Sequence, residues 1–284
     1  MAVKTFRPLT PGRRFLTVAS FSDITKKKPE KRLTITKKKS GGRNCYGRIT
    51  ARAIGGGHKQ KIRNIDFRRR RHGVEATVDA IEYDPIRSAR IALVKYSDGE
   101  KRYIIAPEGL EVGAKIMSGP GSPKLVGCAL PLSEIPASSR IHGLELVPGG
   151  GAQIVRTAGS AAILMSFDQG YAQIKLPSGE IRRFHGKCQA TMGTVGNSQH
   201  EYVVLGKAGR ARNMGRRPLT RGVSRNPVDH PNGGGQGQSK GGGGRQHLVS
   251  PWGLLAKGYR TRNKHKTSNR FILVRRDGRP MKRK

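Results

Sequence analysis

Positive charge is not spread evenly along this chain; it is banked at both ends. Residues 1 to 73 carry a net +19, residues 74 to 204 carry 13 basic and 13 acidic side chains, and residues 205 to 284 again carry a net +19. Like charges at that density repel, and the flanks hold too few apolar residues to offset the entropy of ordering. They are therefore expected to order only against a polyanion. The balanced centre, roughly 130 residues, is long enough to bury a core as one ordinary domain or two small ones. With 56 Lys+Arg against 18 Asp+Glu and a net +38, the chain suits nucleic acid, whose phosphates release condensed counterions when basic side chains replace them.

Other classes find little support. The longest apolar stretch, Ala161 to Met165, is strand-sized, whereas a bilayer needs ~20 residues. No secretion pattern opens the sequence and no lipidation signal stands at either end, so a cytoplasmic protein without membrane contact is expected. Cys45, Cys128 and Cys188 lie far apart with no Cys-x-x-Cys pair. They describe neither a zinc site nor a disulfide framework, and no metal or cofactor is expected.

The centre reads as all-β. Segments rich in β-branched and apolar residues recur at Val74 to Tyr83, Ala89 to Tyr96, Lys101 to Ala106, Ala161 to Phe167, Tyr171 to Leu176, Ile181 to Phe184 and Glu201 to Leu205. Turn signals stand between them at Asp98-Gly99, Asp168-Gln169-Gly170 and Pro177-Ser178-Gly179. Short strands joined by tight Gly-containing turns describe antiparallel hairpins, and several in succession describe small barrels. A Pro- and Gly-rich span from Ser118 to Pro136 separates two groups of segments, so two consecutive barrels are expected. Before them, Pro8, Pro11, Pro29 and two lysine runs show no sustained period and read as an extended arm. After Leu205 the chain holds 15 glycines in 80 residues. A short basic helix is expected from about Lys207 to Arg217, followed by irregular chain whose glycines let backbone approach phosphate.

Only 5% of residues are aromatic, which argues against a reader that stacks successive bases. Neither a helix-turn-helix nor a basic zipper is visible, which disfavours duplex DNA. The run Ile54-Gly55-Gly56-Gly57-His58-Lys59-Gln60 lacks the Gly-x-x-x-x-Gly-Lys-Ser/Thr spacing of a nucleotide loop and reads as a contact to RNA backbone. Arg68 to Arg71 fall on an expected strand edge, Arg87 and Arg90 flank the Asp84-Pro85 turn, and Arg156 precedes a strand of the second barrel. Asp229 beside His230 could supply a general base. Adjacency does not place a carboxylate on an imidazole, however, and no activated Ser or Cys partner is visible. A positioned RNA contact is the favoured reading, an enzyme using His230 the second, and a histone-like DNA-binding protein the third.

The motifs GGRNCYGRIT (from Gly41), IGGGHKQ (from Ile54), EYDPIRSARIALV (from Glu82), DGEKRYIIAP (from Asp98), LGKAG (from Leu205), NPVDHPNGGG (from Asn226) and SPWG (from Ser250) follow one another as in the universal L-two family of large-subunit ribosomal proteins. The chain resembles that family, in its bacterial type, over nearly its whole length. The resemblance implies a basic arm over residues 1–40, an oligonucleotide-binding (OB-fold) barrel over 41–120, an SH3-like barrel over 121–204, and a C-terminal extension over 205–284 that threads rRNA. It implies large-subunit rRNA and other ribosomal proteins as partners, contact with small-subunit rRNA at the subunit interface, and roles in subunit association, tRNA binding and the architecture of the peptidyl transferase centre. No homo-oligomer is expected, and a bacterial or an organellar ribosome both fit. Arg68, Arg70, Arg87 and Arg156 fall at positions where the family contacts rRNA, and Arg43, Arg52, His58, Lys59, Arg217, Arg221, Asp229 and His230 complete the implied set. His230 also matches a family histidine once proposed to assist peptide-bond formation, a role disfavoured because that centre is RNA. Two departures stand out: Asn232 and Gln236 replace a His and a Glu of the usual loop, and residues 238–246 form a longer, more Gly-rich stretch.

Overall fold

The computed structural model describes residues 3–238, 247–263 and 265–281. Two short antiparallel ribbons open the chain, β1 (Val3–Thr5) with β2 (Thr17–Ala19) and β3 (Thr34–Thr36) with β4 (Lys61–Arg63). The first ribbon lies within the expected arm, and the second joins the end of that arm to residues 61–63. The first barrel is a curled sheet of β5 (Ala76–Glu82), β6 (Ile91–Tyr96), β7 (Lys101–Ile105) and β8 (Lys115–Ile116), in the order β7-β6-β5-β8.

The second barrel uses β9 (Ala129–Pro131), β10 (Arg140–His142), β13 (Ala162–Asp168), β14 (Tyr171–Lys175), β15 (Ile181–His185), β16 (Gln189–Met192) and β17 (Ile272–Val274), in the order β17-β15-β14-β13-β10-β16-β9. A ribbon of β11 (Leu144–Glu145) and β12 (Ala152–Ile154) stands beside it. The only α-helix among the described residues is α1 (Ala208–Asn213), inside the span expected to be helical. The all-β reading, an OB-type barrel followed by an SH3-like one, therefore holds.

Burial explains the strand sequences. In β5 the alternation of Ala76 and Val78 with exposed Thr77 and Asp79 is the period-2 signature of a sheet with one wet face, and a bulge between Val78 and Ala80 then turns Ala80 towards the cluster of Ile91 and Leu93. β6 instead buries Ile91, Ala92, Leu93 and Val94 together. Its two faces serve two clusters. Ala92 and Val94 join a core that runs on through Leu130, Ile141, Leu144, Leu164 and Ile174 of the second barrel. Ile91 and Leu93 meet Ile65, Tyr103, Ile105 and Val195, with Leu33 and Phe67 packed alongside. A continuous apolar run is what burial on both faces requires. Ile91, Leu93 and Val94 each contribute roughly 1.5–3 kcal/mol through burial.

Three expectations change. Glu201 to Leu205 is not a strand: Asn197 sits at φ 65 and opens a 3-10 turn over Ser198–Tyr202, after which Thr17 Oγ1 accepts a hydrogen bond from Val204 N–H at 2.6 Å. Arg68 to Arg71 form no strand edge, because Asp66 Oδ1 accepts the N–H groups of both Arg68 and Arg69 (3.1 and 2.9 Å) and Arg69 takes φ 49. The basic C-terminal stretch also yields a sheet strand, since Ile272 and Val274 of β17 pair with Arg182 and Ile181 of β15.

The chain forms two compact units, the described parts of residues 1–38, 59–207 and 268–284, and those of 39–58 and 208–267. In the smaller one, the Gly-rich loop lies along the chain that follows α1: Gly55 N–H donates to Gly215 O, His58 N–H to Asn213 O and Arg217 N–H to Ala53 O, each at 2.9 Å. At Gly57, φ is +77 and a Cβ would stand 2.6–2.9 Å from Gly215 and Asn213 backbone atoms. Only glycine allows that approach.

Candidate nucleic-acid interface

In the larger unit, the four arginines in sequence at 68 to 71 have different fates. Arg68 and Arg70 point outward, and among the described residues neither pairs with a carboxylate. Arg69 is buried; its Nε donates to Ser118 Oγ at 2.8 Å and its Nη2 to Gly127 O at 3.0 Å. Burial pushes its pKa down, yet a guanidinium keeps its charge. Arg71 is ion-paired with both Asp98 and Glu100. Arg102 likewise spends its charge on Asp66 and Glu100, each at 2.8 Å. Burial alone would raise the Asp66 carboxyl, but Arg102 and the N–H groups of Arg69 and Arg68 outweigh it and hold the group below its usual range. Two of the four arginines are thus structural, and two are available to an anion.

Arg87 and Arg156 come from different barrels and meet at one ring. The Arg87 guanidinium lies over Phe67 at 5.5 Å from the centroid and that of Arg156 at 4.8 Å, both inside the ~6 Å range of cation–π attraction. Arg87 Nε also donates to the fully buried Asp84 at 2.7 Å. Arg156 Nη1 donates to Ala152 O at 3.2 Å. Phe67 O accepts the Ala152 N–H at 2.7 Å, and Arg68 is the next residue in the chain. Arg68, Arg87 and Arg156 are therefore assembled around Phe67, with Arg70 close by in sequence. A groove lined by Asn64, Phe67, Arg68, Arg70 and Lys101 opens beside them.

In the smaller unit the remaining residues are more dispersed. Arg43 and Ile49 form an isolated bridge in an exposed loop. Arg52 lies 5.9 Å from the centroid of the exposed Trp252 ring. His58, Arg217 and Arg221 have exposed side chains, as does Lys59, the first residues of the larger unit's second stretch.

His230, by contrast, is buried. Its Nδ1 accepts the N–H of Asn232 at 3.0 Å, which places the proton of a neutral ring on Nε2. Asp229 is exposed, and no hydrogen bond or ion pair joins it to His230, so the sequence neighbours form no dyad. The imidazole fills the place of a missing side chain at Gly222, where a Cβ would stand 2.5–2.6 Å from three ring atoms. Asn232 is buried and ties the loop down: its Nδ2 donates to Val249 O at 2.8 Å and its Oδ1 accepts Val249 N–H at 3.2 Å. Gln236 is exposed. The Gly-rich stretch 239–246 lies outside the described residues.

Sequence reasoning missed Phe67, Arg69, Trp252 and the clamp by Asn232. For Arg69 the one usable signal was Asp66, whose carboxylate two and three residues upstream is placed for an Asx turn that breaks an extended run. Nothing in the sequence links Phe67 to Arg156.

Among the described residues no cluster of His, Cys, Asp or Glu could hold a metal ion, and no helix is long and apolar enough to cross a membrane. The family models described as "Ribosomal Proteins L2, RNA binding N-terminal domain" and "Ribosomal Proteins L2, C-terminal domain" match residues 30–118 and 125–253. A "Large ribosomal subunit protein uL2" of Methylacidiphilum infernorum is 60% identical over 284 residues, covering 100% of this chain and 99% of its own length. Another of the same name, from Opitutus terrae, is 55% identical over 282 residues, covering 98% of each. Matched by both domain models and aligned end to end with these relatives, the chain belongs to the ribosomal protein L2 family.

Proposed function

We propose that this chain is a structural, rRNA-binding constituent of the large ribosomal subunit and carries no catalytic activity of its own. The observation that carries the reading is the assembly of Arg68, Arg87 and Arg156 around Phe67, beside Arg71 and Arg102, whose charges are matched to carboxylates. Three cations held on a rigid double barrel with one carboxylate, Asp84, among them suit RNA phosphates, which position a protein by backbone contacts. The other exposed residues, Arg43, Arg52, His58, Lys59, Arg70, Arg217 and Arg221, are further contacts to RNA, and Asp229 and His230 belong to a loop that is shaped for RNA. In this reading the chain works in the cytoplasmic ribosome beside other ribosomal proteins. It supports subunit association through small-subunit rRNA and supports tRNA binding and peptidyl transferase architecture by position alone.

The test is competition. At matched salt, folded large-subunit rRNA should displace a labelled rRNA transcript from the full chain far better than duplex DNA of equal length, because A-form RNA alone offers the 2′-hydroxyl and an irregular backbone. Equal competition by the two would favour a histone-like protein.

A further inference from the structure

We infer that Phe67 is a positioning residue, which presets Arg87 of the first barrel and Arg156 of the second as a single two-pronged grip on RNA backbone. The inference rests on the RNA-binding reading above and deepens it. Two long cationic side chains on separate loops would ordinarily sample many rotamers and repel one another, so holding both at one place before RNA arrives requires a common attractor. The Phe67 ring is that attractor, with one guanidinium carbon at 5.5 Å and the other at 4.8 Å from its centroid. The negative face of the ring attracts each cation without consuming its N–H donors.

The surroundings fix the ring. Its own carbonyl accepts the Ala152 N–H at 2.7 Å, and Gly151 leaves room for the approach: a Cβ there would stand 3.0 Å from Arg68 Cγ and 3.2 Å from Phe67 O. Each arginine also has one tether, Asp84 for Arg87 at 2.7 Å and the Ala152 carbonyl for Arg156 at 3.2 Å. A guanidinium has five N–H donors, so most stay available to phosphate oxygens. Asp84 further offsets the repulsion between the two cations. A ring that only filled space at the edge of the apolar cluster around Ile91 and Leu93 would need no particular electronic character, and that difference can be measured.

The experiment uses the full chain and a folded large-subunit rRNA transcript, with affinity read across a series of KCl concentrations. Arg87→Gln and Arg156→Gln should each weaken binding and flatten the salt dependence by about one phosphate contact. Phe67→Leu should weaken binding about three- to tenfold, Phe67→Trp should restore it, and Arg156→Gln should cost less in the Phe67→Leu background than alone. Should Phe67→Leu lower the unfolding midpoint, a pentafluorophenyl ring at position 67 keeps the shape while reversing the charge pattern of the ring. The same loss of affinity at an unchanged midpoint is then expected. Full affinity with the fluorinated ring, while both arginine variants lose theirs, overturns the positioning role and leaves the RNA-binding reading standing. No effect of either arginine variant on affinity or salt slope overturns the RNA reading of this face and the positioning role with it.

Discussion

At the scale of single residues, the histidines show how environment decides role. His142 is buried, with Nδ1 2.9 Å from Gly193 O, an acceptor that makes Nδ1 the donor. Burial pushes its pKa down to about 4 from an ordinary 6.5. The folded chain therefore keeps it neutral where the unfolded chain takes up a proton. Stability is fully present above pH 6.5 and is lost as pH falls towards 4, by on the order of 3 kcal/mol from this group. Denaturant unfolding at several pH values should show that slope in the native chain and a shallower one in His142→Gln, whose amide can still donate to Gly193 O.

His230 tests a different claim. With Nδ1 engaged by Asn232 N–H and no carboxylate on the ring, it has the partners of a loop-positioning group. His230→Gln subunits, fully assembled, should form peptide bonds at near-normal rate under single-turnover conditions with a fast-reacting substrate. A general base would instead cost roughly 10²- to 10⁴-fold.

At the scale of elements, legibility followed locality. The strands of the two hairpin series were readable because alternation and Gly-containing turns are written within ten residues of each other, as in β6, Asp98-Gly99 and β7. Short pieces such as β9, β10 and β16 carry too few residues to show a period, and exist because the sheet supplies their partners. β17 is the extreme case: Ile272-Leu273-Val274 sits among basic residues and is a strand only by pairing with β15. The pairing predicts that the basic tail is not a uniform RNA-threading segment. Ending the chain at Thr267 should uncover the β15 edge, speed amide exchange on that strand and promote self-association, as read by hydrogen exchange and light scattering. A chain cut there that stays monomeric with unchanged β15 protection would show that the edge is guarded by something else.

At the scale of the whole molecule, charge statistics marked the neutral centre as the folded part and the flanks as the polyanion-seeking part, and all of the double barrel but β17 lies in that centre. They could not tell which arginines are held inside the fold and which are left exposed. Arg68 to Arg71 are identical in composition, and only Ser118, Gly127, Asp98 and Glu100, all remote in sequence, separate the two structural arginines from the two exposed ones. The clustering of Arg87 with Arg156 was beyond sequence for the same reason, because it depends on how two barrels share one core. What remains to be measured is whether that arrangement works inside a ribosome. Extracts of the native host, resolved on a sucrose gradient at physiological salt, should carry the protein with the large subunit and with whole ribosomes, and high salt should release it only with loss of particle integrity. Recovery at the top of the gradient, or with DNA, while other large-subunit proteins remain on the particle, would contradict the account.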